Sequence, residues 1–328
     1  MLKERNSNIE LMRIIAMLFI ISHHLLVHGM KIWEDSTWNN FVLLSIDSCF
    51  FIGVNVFVLI SGYCGIKFNL KKLFYLYILT SIIGGLGYFV HLYVDDVSLG
   101  KSVIYNTIFS ISHAPGTWYI KVYIYLFLLS PIVNIALQNF NKKQIHLVLF
   151  LLTIICVYFG WFWQDDINKD GYNLVNFIWL YCIGYYLSNH FDFNNFLSKV
   201  YLLPIWVIIS IINVIIVIMF DSHVAWTYNN PFVVFASISF FLFFISLNFK
   251  SRLINIIAQS TLGIYLLHEN SYLSTFLYKE SFVEKYSNDV ILFVASVFGI
   301  FIVCGIVDFI IRTLVVRPLM KITPPYTL

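Results

Sequence analysis

The first strongly apolar segment of the chain carries one arginine and two adjacent histidines, Arg13, His23 and His24. Ionisable side chains are costly in hydrocarbon, so inside a membrane they usually mark a functional site. On a helix, the steps from Arg13 to His24 cover about 16 Å and return almost to the same face. The pattern therefore predicts one membrane helix with a fixed cation near one surface and a proton-transfer group deeper in.

Each of these residues also has a structural interpretation. Arg13 could extend its guanidinium to anionic lipid, or it could bind an anionic donor at the cytoplasmic face. The histidines could form packing hydrogen bonds between helices instead of reacting. Because adjacent residues on a helix point about 100° apart, at most one histidine faces a given site, and the register with Arg13 selects His24. We expect His23 to pack rather than react.

A second group of polar residues, His268, Glu269 and Asn270, falls near the middle of a late apolar segment. A carboxylate at that depth is costly unless it is paired or protonated. A histidine and a carboxylate from separate helices can act as base and orienter and so activate a hydroxyl. A polar lock between helices is the alternative. On the first interpretation His24, His268 and Glu269 are catalytic candidates.

The amino-acid composition indicates that membrane-spanning helices position these residues. The chain is 60% hydrophobic and 11% charged, whereas soluble domains carry about 25% charged residues. The formal net charge of +3 gives no basic stripe for nucleic acid. The pattern predicts an all-α, polytopic membrane helix bundle, a single integral domain over residues 1–328 without an appended soluble domain. We count about ten transmembrane segments of the required length: 11–30, 43–63, 72–93, 118–138, 145–163, 171–188, 201–220, 231–248, 257–277 and 290–311.

The basic residues predict the orientation of this bundle. Most of them, including Lys3 and Arg5, fall on one side of the ten-segment arrangement, which places both termini in the cytoplasm. The other side has five lysines, Lys31, Lys101, Lys169, Lys279 and Lys285, and most of the acids, including Asp95, Asp96, Asp165 and Asp166. The five scattered cysteines are interpreted as buried apolar residues, and no metal site is predicted.

Several other charged residues have expected roles. Lys67, Lys71 and Lys72 follow the second segment, where they either anchor the cytoplasmic side or bind a phosphate-rich donor. Asp308 and Arg312 are four residues apart and should pair locally. Asp47 and Lys121 fall near the outer ends of their helices. An interfacial role is expected for both, with a mutual ion pair or a polar vestibule as alternatives.

Four ordered segments resemble the acyltransferase 3 family of integral membrane acyltransferases. They are the Arg-x10-His pattern at Arg13 and His24, the run from Gly53 to Tyr63, the region from Trp118 to Asn134, and L-G-I-Y-L-x-H-E-N from Leu262 to Asn270. Gly62, within the second of them, would let a neighbouring backbone approach closely. The resemblance covers nearly the whole chain.

The resemblance implies a membrane-bound O-acyltransferase of the bacterial plasma membrane, with acetyl-CoA as donor. The acceptor would be a hydroxyl of a cell-surface glycan or a lipid-linked glycan precursor, with glycan-assembly proteins as possible partners. Arg13 and His24 match the essential pair of the family, and His268 its recurrent late histidine. Lys71 and Lys72 match its basic pair approximately, since arginine is common there. A transporter or flippase of glycan units is the alternative function.

Overall fold

The computed structural model describes residues 6–94, 118–192, 199–220, 223–277 and 289–322, and these residues form helices and connecting turns without any strand. Lys3, Arg5, Asp95, Asp96, Lys101, Lys279 and Lys285 of the orientation argument lie outside them. The α-helices are α1 (Ser7–His24), α2 (Phe41–Phe50), α3 (Gly53–Cys64), α4 (Leu70–Val94), α5 (Trp118–Asn139), α6 (Lys142–Thr153), α7 (Leu174–Asn189), α8 (Leu202–Phe220), α9 (Pro231–Ile245), α10 (Arg252–Ile257), α11 (Thr261–His268), α12 (Ser271–Leu277), α13 (Val290–Ile311) and α14 (Arg317–Ile322).

Seven helical segments of the described chain are long and apolar enough to cross a membrane, which agrees with an all-α, multi-pass membrane protein. They are Ser7–Gly29, Trp38–Cys64, Leu70–Tyr93, Trp118–Asn139, Lys142–Phe162, Lys199–Phe220 and Val290–Met320. The other three predicted segments correspond to the shorter helices α7 and α9 and to the pair α11 and α12. The total of ten and the cytoplasmic termini stay predictions.

The late segment predicted over 257–277 is not one continuous helix. The chain leaves the helix after His268 and starts α12 at Ser271. Asn270 begins α12, because its Oδ1 accepts hydrogen bonds from the backbone N–H groups of Tyr272 and Leu273 at 3.1 and 3.3 Å. The amide of Asn270 occupies the space that a side chain at Gly87 would fill. The interruption therefore lies at the predicted catalytic residues.

The described chain forms two compact units. The first comprises the residues up to Val27, Lys31–Lys67 and Tyr125–Ala258. The second comprises His28–Met30, Phe68–Ile124 and the residues from Gln259 onward. Helix α5 starts in the second unit and continues in the first.

Close helix packing in the first unit depends on glycines. A Cβ at Gly62 of α3 would lie 2.9 Å from the Tyr181 Cα, and a Cβ at Gly184 of α7 would lie 2.9 Å from the Tyr63 nitrogen. Such contacts are shorter than van der Waals distances, so only glycine lets these two backbones touch. The close approach expected at Gly62 is confirmed.

A proline inside α5 is accommodated locally. Pro131 has no N–H, so the carbonyl four residues earlier loses its usual helical donor. That carbonyl, of Phe127, instead accepts a hydrogen bond of 2.7 Å from the Ser130 hydroxyl. The helix can therefore continue through Pro131.

In the second unit, a buried ion pair joins the end of α13 to the start of α11. Arg312 donates from Nε to Asp308 Oδ2 at 2.6 Å and from Nη2 to the Ser260 hydroxyl at 2.7 Å. The Asp308 carboxylate occupies the space beside Gly263, where a side chain would collide with it. The local pairing predicted from the four-residue spacing is confirmed.

Candidate active site

Arg13 and His24 belong to the same unbroken α-helix, α1. The stretch between them is regular, so the sequence-based separation of about 16 Å along the axis applies. The guanidinium of Arg13 is only partly exposed, and its Nη1 lies 3.3 Å from Glu10 Oε1 and 3.4 Å from Oε2. The role predicted for Arg13 from the sequence did not include Glu10, although the three-residue spacing is typical of helical ion pairs.

His24 is buried and is the last residue of α1. The next five residues, Leu25–Gly29, form a π-helix. Wide π-helical turns are rare and frequently occur at functional sites, because the inserted residue changes the direction of neighbouring side chains. The His24 ring lies 5.4 Å from that of His23, centroid to centroid. The change of helix type therefore falls directly after the histidine pair.

His23 forms a hydrogen bond with a carboxylate that is far away in the sequence. Its Nδ1 lies 2.7 Å from Oδ1 of Asp47, a residue of α2 whose exposed fraction is 0%. The other oxygen of Asp47 accepts a hydrogen bond of 2.9 Å from the Trp33 indole N–H. Asp47 can be buried because these two donors satisfy its charge, and the interfacial role expected of it did not include these partners.

Aromatic rings enclose this hydrogen-bonded group. The Trp33 and Phe51 rings lie 5.3 and 5.2 Å from the His23 ring. Trp33 in turn stacks on Trp226 at 4.8 Å, and Phe51 stacks on Tyr228 at 4.6 Å. His23 does pack, as predicted, but the packing surrounds a polar pair. Few water molecules can compete for hydrogen bonds in such surroundings, so the bonds there are strong.

His268, at the end of α11 in the second unit, has a defined tautomer. Its Nδ1 lies 2.7 Å from the carbonyl oxygen of Ile264, and its exposed fraction is 1%. A carbonyl can only accept a hydrogen bond, so Nδ1 carries the proton and Nε2 is the basic nitrogen of the neutral ring. Glu269 follows at the helix end and is partly buried.

Lys71 and Lys72 lie in the first turn of α4 and are exposed. The Asn69 side chain accepts hydrogen bonds from their backbone N–H groups at 2.8 and 3.3 Å. The N-terminus of a helix carries partial positive charge, which adds to the charge of the two lysines. This end of α4 thus has the electrostatics of an anion-binding surface.

A hydrogen-bonded ring fixes the chain just before Lys67. Ile66 donates its N–H to the Tyr181 hydroxyl at 2.9 Å, and Tyr181 donates to Asn134 Oδ1 at 2.6 Å. Asn134 Nδ2 completes the ring at the Ile66 carbonyl, 2.8 Å away. The sequence indicated this arrangement only through the motif that ends at Asn134. That motif did not predict which residues Asn134 contacts.

The cysteines only partly match their predicted burial. Cys156 and Cys182 are buried, Cys49 and Cys304 are half-buried, and Cys64 is exposed. Cys64 is the last residue of α3, where the helix ends and the side chain is no longer surrounded by neighbouring helices. For this residue the expected burial is wrong.

Comparison with known families identifies the class of the protein. The model of the acyltransferase 3 family, described as an acyltransferase domain, matches residues 6–309 of the 328-residue chain. The chain belongs to the acyltransferase 3 family. It is therefore an acyltransferase, and its apolar helices agree with a multi-pass membrane member of that family. No curated protein and no solved structure matches the chain.

The match to the acyltransferase 3 family includes every site residue predicted from the sequence. Arg13, His24, Lys71, Lys72, His268 and Glu269 all lie within residues 6–309. Asp47 lies there too, although no catalytic role is predicted for it from the sequence. The acyltransferase 3 domain thus contains both the expected residues and the buried pair that only the structure revealed.

Proposed function

We propose that this acyltransferase 3 protein transfers an acetyl group from cytoplasmic acetyl-CoA to a hydroxyl of a cell-surface polysaccharide or its lipid-linked precursor, at the bacterial plasma membrane. The observation that carries the proposal is that Arg13 and His24 lie on one unbroken helix, about three turns apart. The long, thin pantetheine arm of CoA suits such a separation between a phosphate-binding cation and a reacting imidazole.

The donor is held by cations in this proposal. CoA carries several phosphate charges, and an arginine guanidinium binds phosphate with two parallel hydrogen bonds. Arg13, half-buried beside Glu10, is the first contact. Lys71 and Lys72, exposed in the first turn of α4, provide further positive charge where a helix N-terminus also favours an anion.

The imidazoles of His24 and His268 carry out the transfer in this proposal. His24 takes the proton of the acceptor hydroxyl or carries the acetyl group transiently. His268 presents Nε2 as its basic nitrogen, because Nδ1–H is bonded to the Ile264 carbonyl. Glu269 assists as the carboxylate of the late helix. Acid–base catalysis by such positioned groups contributes about 10²- to 10⁴-fold to a rate.

The test uses membranes from cells that encode the protein and from a deletion strain, both supplied with [¹⁴C]acetyl-CoA. We expect radiolabel in the glycan fraction of the wild-type membranes and its loss on deletion and in His24→Ala. His146→Ala removes an exposed histidine and is the matched control. Full labelling by His24→Ala excludes both roles for that residue. Label that stays on CoA, with glycan export lost on deletion, favours a flippase.

A further inference from the structure

We propose that His23 is the proton acceptor of the acyl-transfer step and that Asp47 is the residue that positions it. This inference rests on the proposed function and deepens it, because it gives the proton-accepting role to the histidine that the helical register had set aside. His24 then binds the acceptor hydroxyl beside His23.

The burial of Asp47 favours a functional role for this carboxylate. A carboxylate taken out of water is costly, and replacing such buried charges by apolar residues is often neutral or stabilising. Asp47 is nevertheless fully buried on α2, with one oxygen bonded to His23 and the other to Trp33. A polar lock could use neutral groups at lower cost, whereas orientation of an imidazole that becomes charged during reaction needs a carboxylate.

The hydrogen bond to Asp47 fixes the tautomer of His23. An ionised carboxylate only accepts hydrogen bonds, so Nδ1 of His23 carries the proton that lies 2.7 Å from Asp47. In the neutral ring Nε2 is then the basic nitrogen. The Trp33 indole N–H fixes the second oxygen of Asp47, which prevents the carboxylate from rotating away. The imidazole of His23 and the carboxylate of Asp47 are therefore arranged like the histidine and aspartate that activate hydroxyl groups in unrelated enzymes.

The position of His23 beside His24 also suits a role in the reaction. His23 and His24 are consecutive residues with ring centroids 5.4 Å apart, and the π-helix begins directly after them. In the proposed arrangement the acceptor hydroxyl lies between the two imidazoles, with its proton directed toward Nε2 of His23.

The proposed step transfers the acetyl group directly from CoA to the acceptor oxygen. The acceptor oxygen forms a bond to the acetyl carbonyl carbon while its O–H proton passes to Nε2 of His23. The C–S bond breaks and its electron pair leaves with CoA as a thiolate. The imidazolium of His23, stabilised by Asp47, then gives its proton to the thiolate. The products are the acetyl ester, CoA thiol and neutral His23.

The variant Asp47→Asn distinguishes a catalytic role of Asp47 from a purely structural one. Asparagine has the same shape, and its oxygen can still accept from Trp33, so the packing of α2 is preserved. Its NH₂ group then faces Nδ1 of His23, which must accept the bond, and the ring proton moves to Nε2. The variant therefore keeps the contacts and removes the basic nitrogen. Asp35→Asn, at an exposed carboxylate, is the matched control.

We expect Asp47→Asn to lower kcat for [¹⁴C]acetyl transfer about 10²- to 10⁴-fold, with the apparent KM for acetyl-CoA within twofold. Asp35→Asn should keep wild-type kinetics. His23→Ala should lose a similar factor, and added imidazole should restore part of the rate. Pyrazole has the same size and shape as imidazole but is a far weaker base, so it fills the cavity without accepting the proton and should restore nothing.

Each other result overturns the inference. Equal rescue by imidazole and pyrazole means that His23 only fills space. Near-normal kcat in Asp47→Asn means that the pair is structural. If wild-type membranes transfer no label, both the proposed function and this inference are wrong. If both the wild-type protein and the His23→Ala variant transfer label at similar rates, this inference alone is wrong.

Discussion

Arg312 and Asp308 form an ion pair of 2.6 Å, with exposed side-chain fractions of 9% and 0%. The guanidinium also reaches Ser260, so the pair joins the start of α11 to the end of α13. Its charges balance each other within a single helical turn. Neither residue can be removed alone without leaving a buried charge that has lost this partner.

We therefore predict that Arg312→Leu destabilises the protein by about 3–5 kcal/mol. The double variant Asp308→Leu/Arg312→Leu should lose clearly less stability, because neither charge is then left in the core. The measurement is thermal unfolding of the detergent-solubilised protein, in which size-exclusion chromatography monitors the amount that remains folded after heating. A double variant that is at least as unstable as the single one would contradict this account.

Glycine packing between α3 and α7 gives a second prediction. Gly62→Ala should lower the midpoint temperature of unfolding by several degrees, since its Cβ would collide with the Tyr181 backbone. Gly299→Ala is the matched control, because a Cβ there meets nothing within 4 Å. The same thermal assay applies to both. Similar losses in the two variants would mean that helix flexibility, not close contact, sets the effect.

The third prediction concerns donor binding by Arg13. Arg13→Gln should raise the apparent KM for acetyl-CoA about tenfold or more, since a charge-assisted hydrogen bond contributes about 1.5–3 kcal/mol. Glu10→Gln removes the carboxylate that competes with CoA phosphate for the guanidinium. Its KM should stay the same or fall. An equal rise of KM in both variants would assign the pair a structural role only.

A fourth prediction tests the hydrogen-bonded ring at Ile66. Tyr181→Phe removes the hydroxyl that the Ile66 N–H and the Asn134 side chain both use. Losing a buried partner costs about 1–3 kcal/mol, so the chain around Ile66 should open more often. Maleimide labelling of the exposed thiol Cys64 should then become faster. Unchanged labelling would show that Asn134 alone is sufficient to hold this segment.

The predicted orientation can be tested with the same thiol. In a variant whose only cysteine is Cys64, a membrane-impermeant maleimide should react only after the cells are permeabilised, because α3 ends on the predicted cytoplasmic side. Asp166→Cys, at a residue with a side-chain exposure of 94%, should react in intact cells. Reversed accessibility would place the termini outside.

Local patterns in the sequence predicted features that depend on nearby residues. The apolar segments predicted a helical membrane protein, because backbone groups in hydrocarbon must bond within their own segment. The spacing of Asp308 and Arg312 predicted their pairing, since residues four apart share a helix face. The small side chain of Gly62 predicted close packing but not its partner, Tyr181.

The sequence by itself determined the class of protein, its membrane helices and the shared face of Arg13 and His24, because hydrophobicity and helical periodicity act over a few turns. Tertiary structure alone decided that Asp47 supports His23 across 24 residues, and that the late helix breaks beside His268. Both depend on which helices meet, and that follows from packing among many apolar surfaces of similar composition.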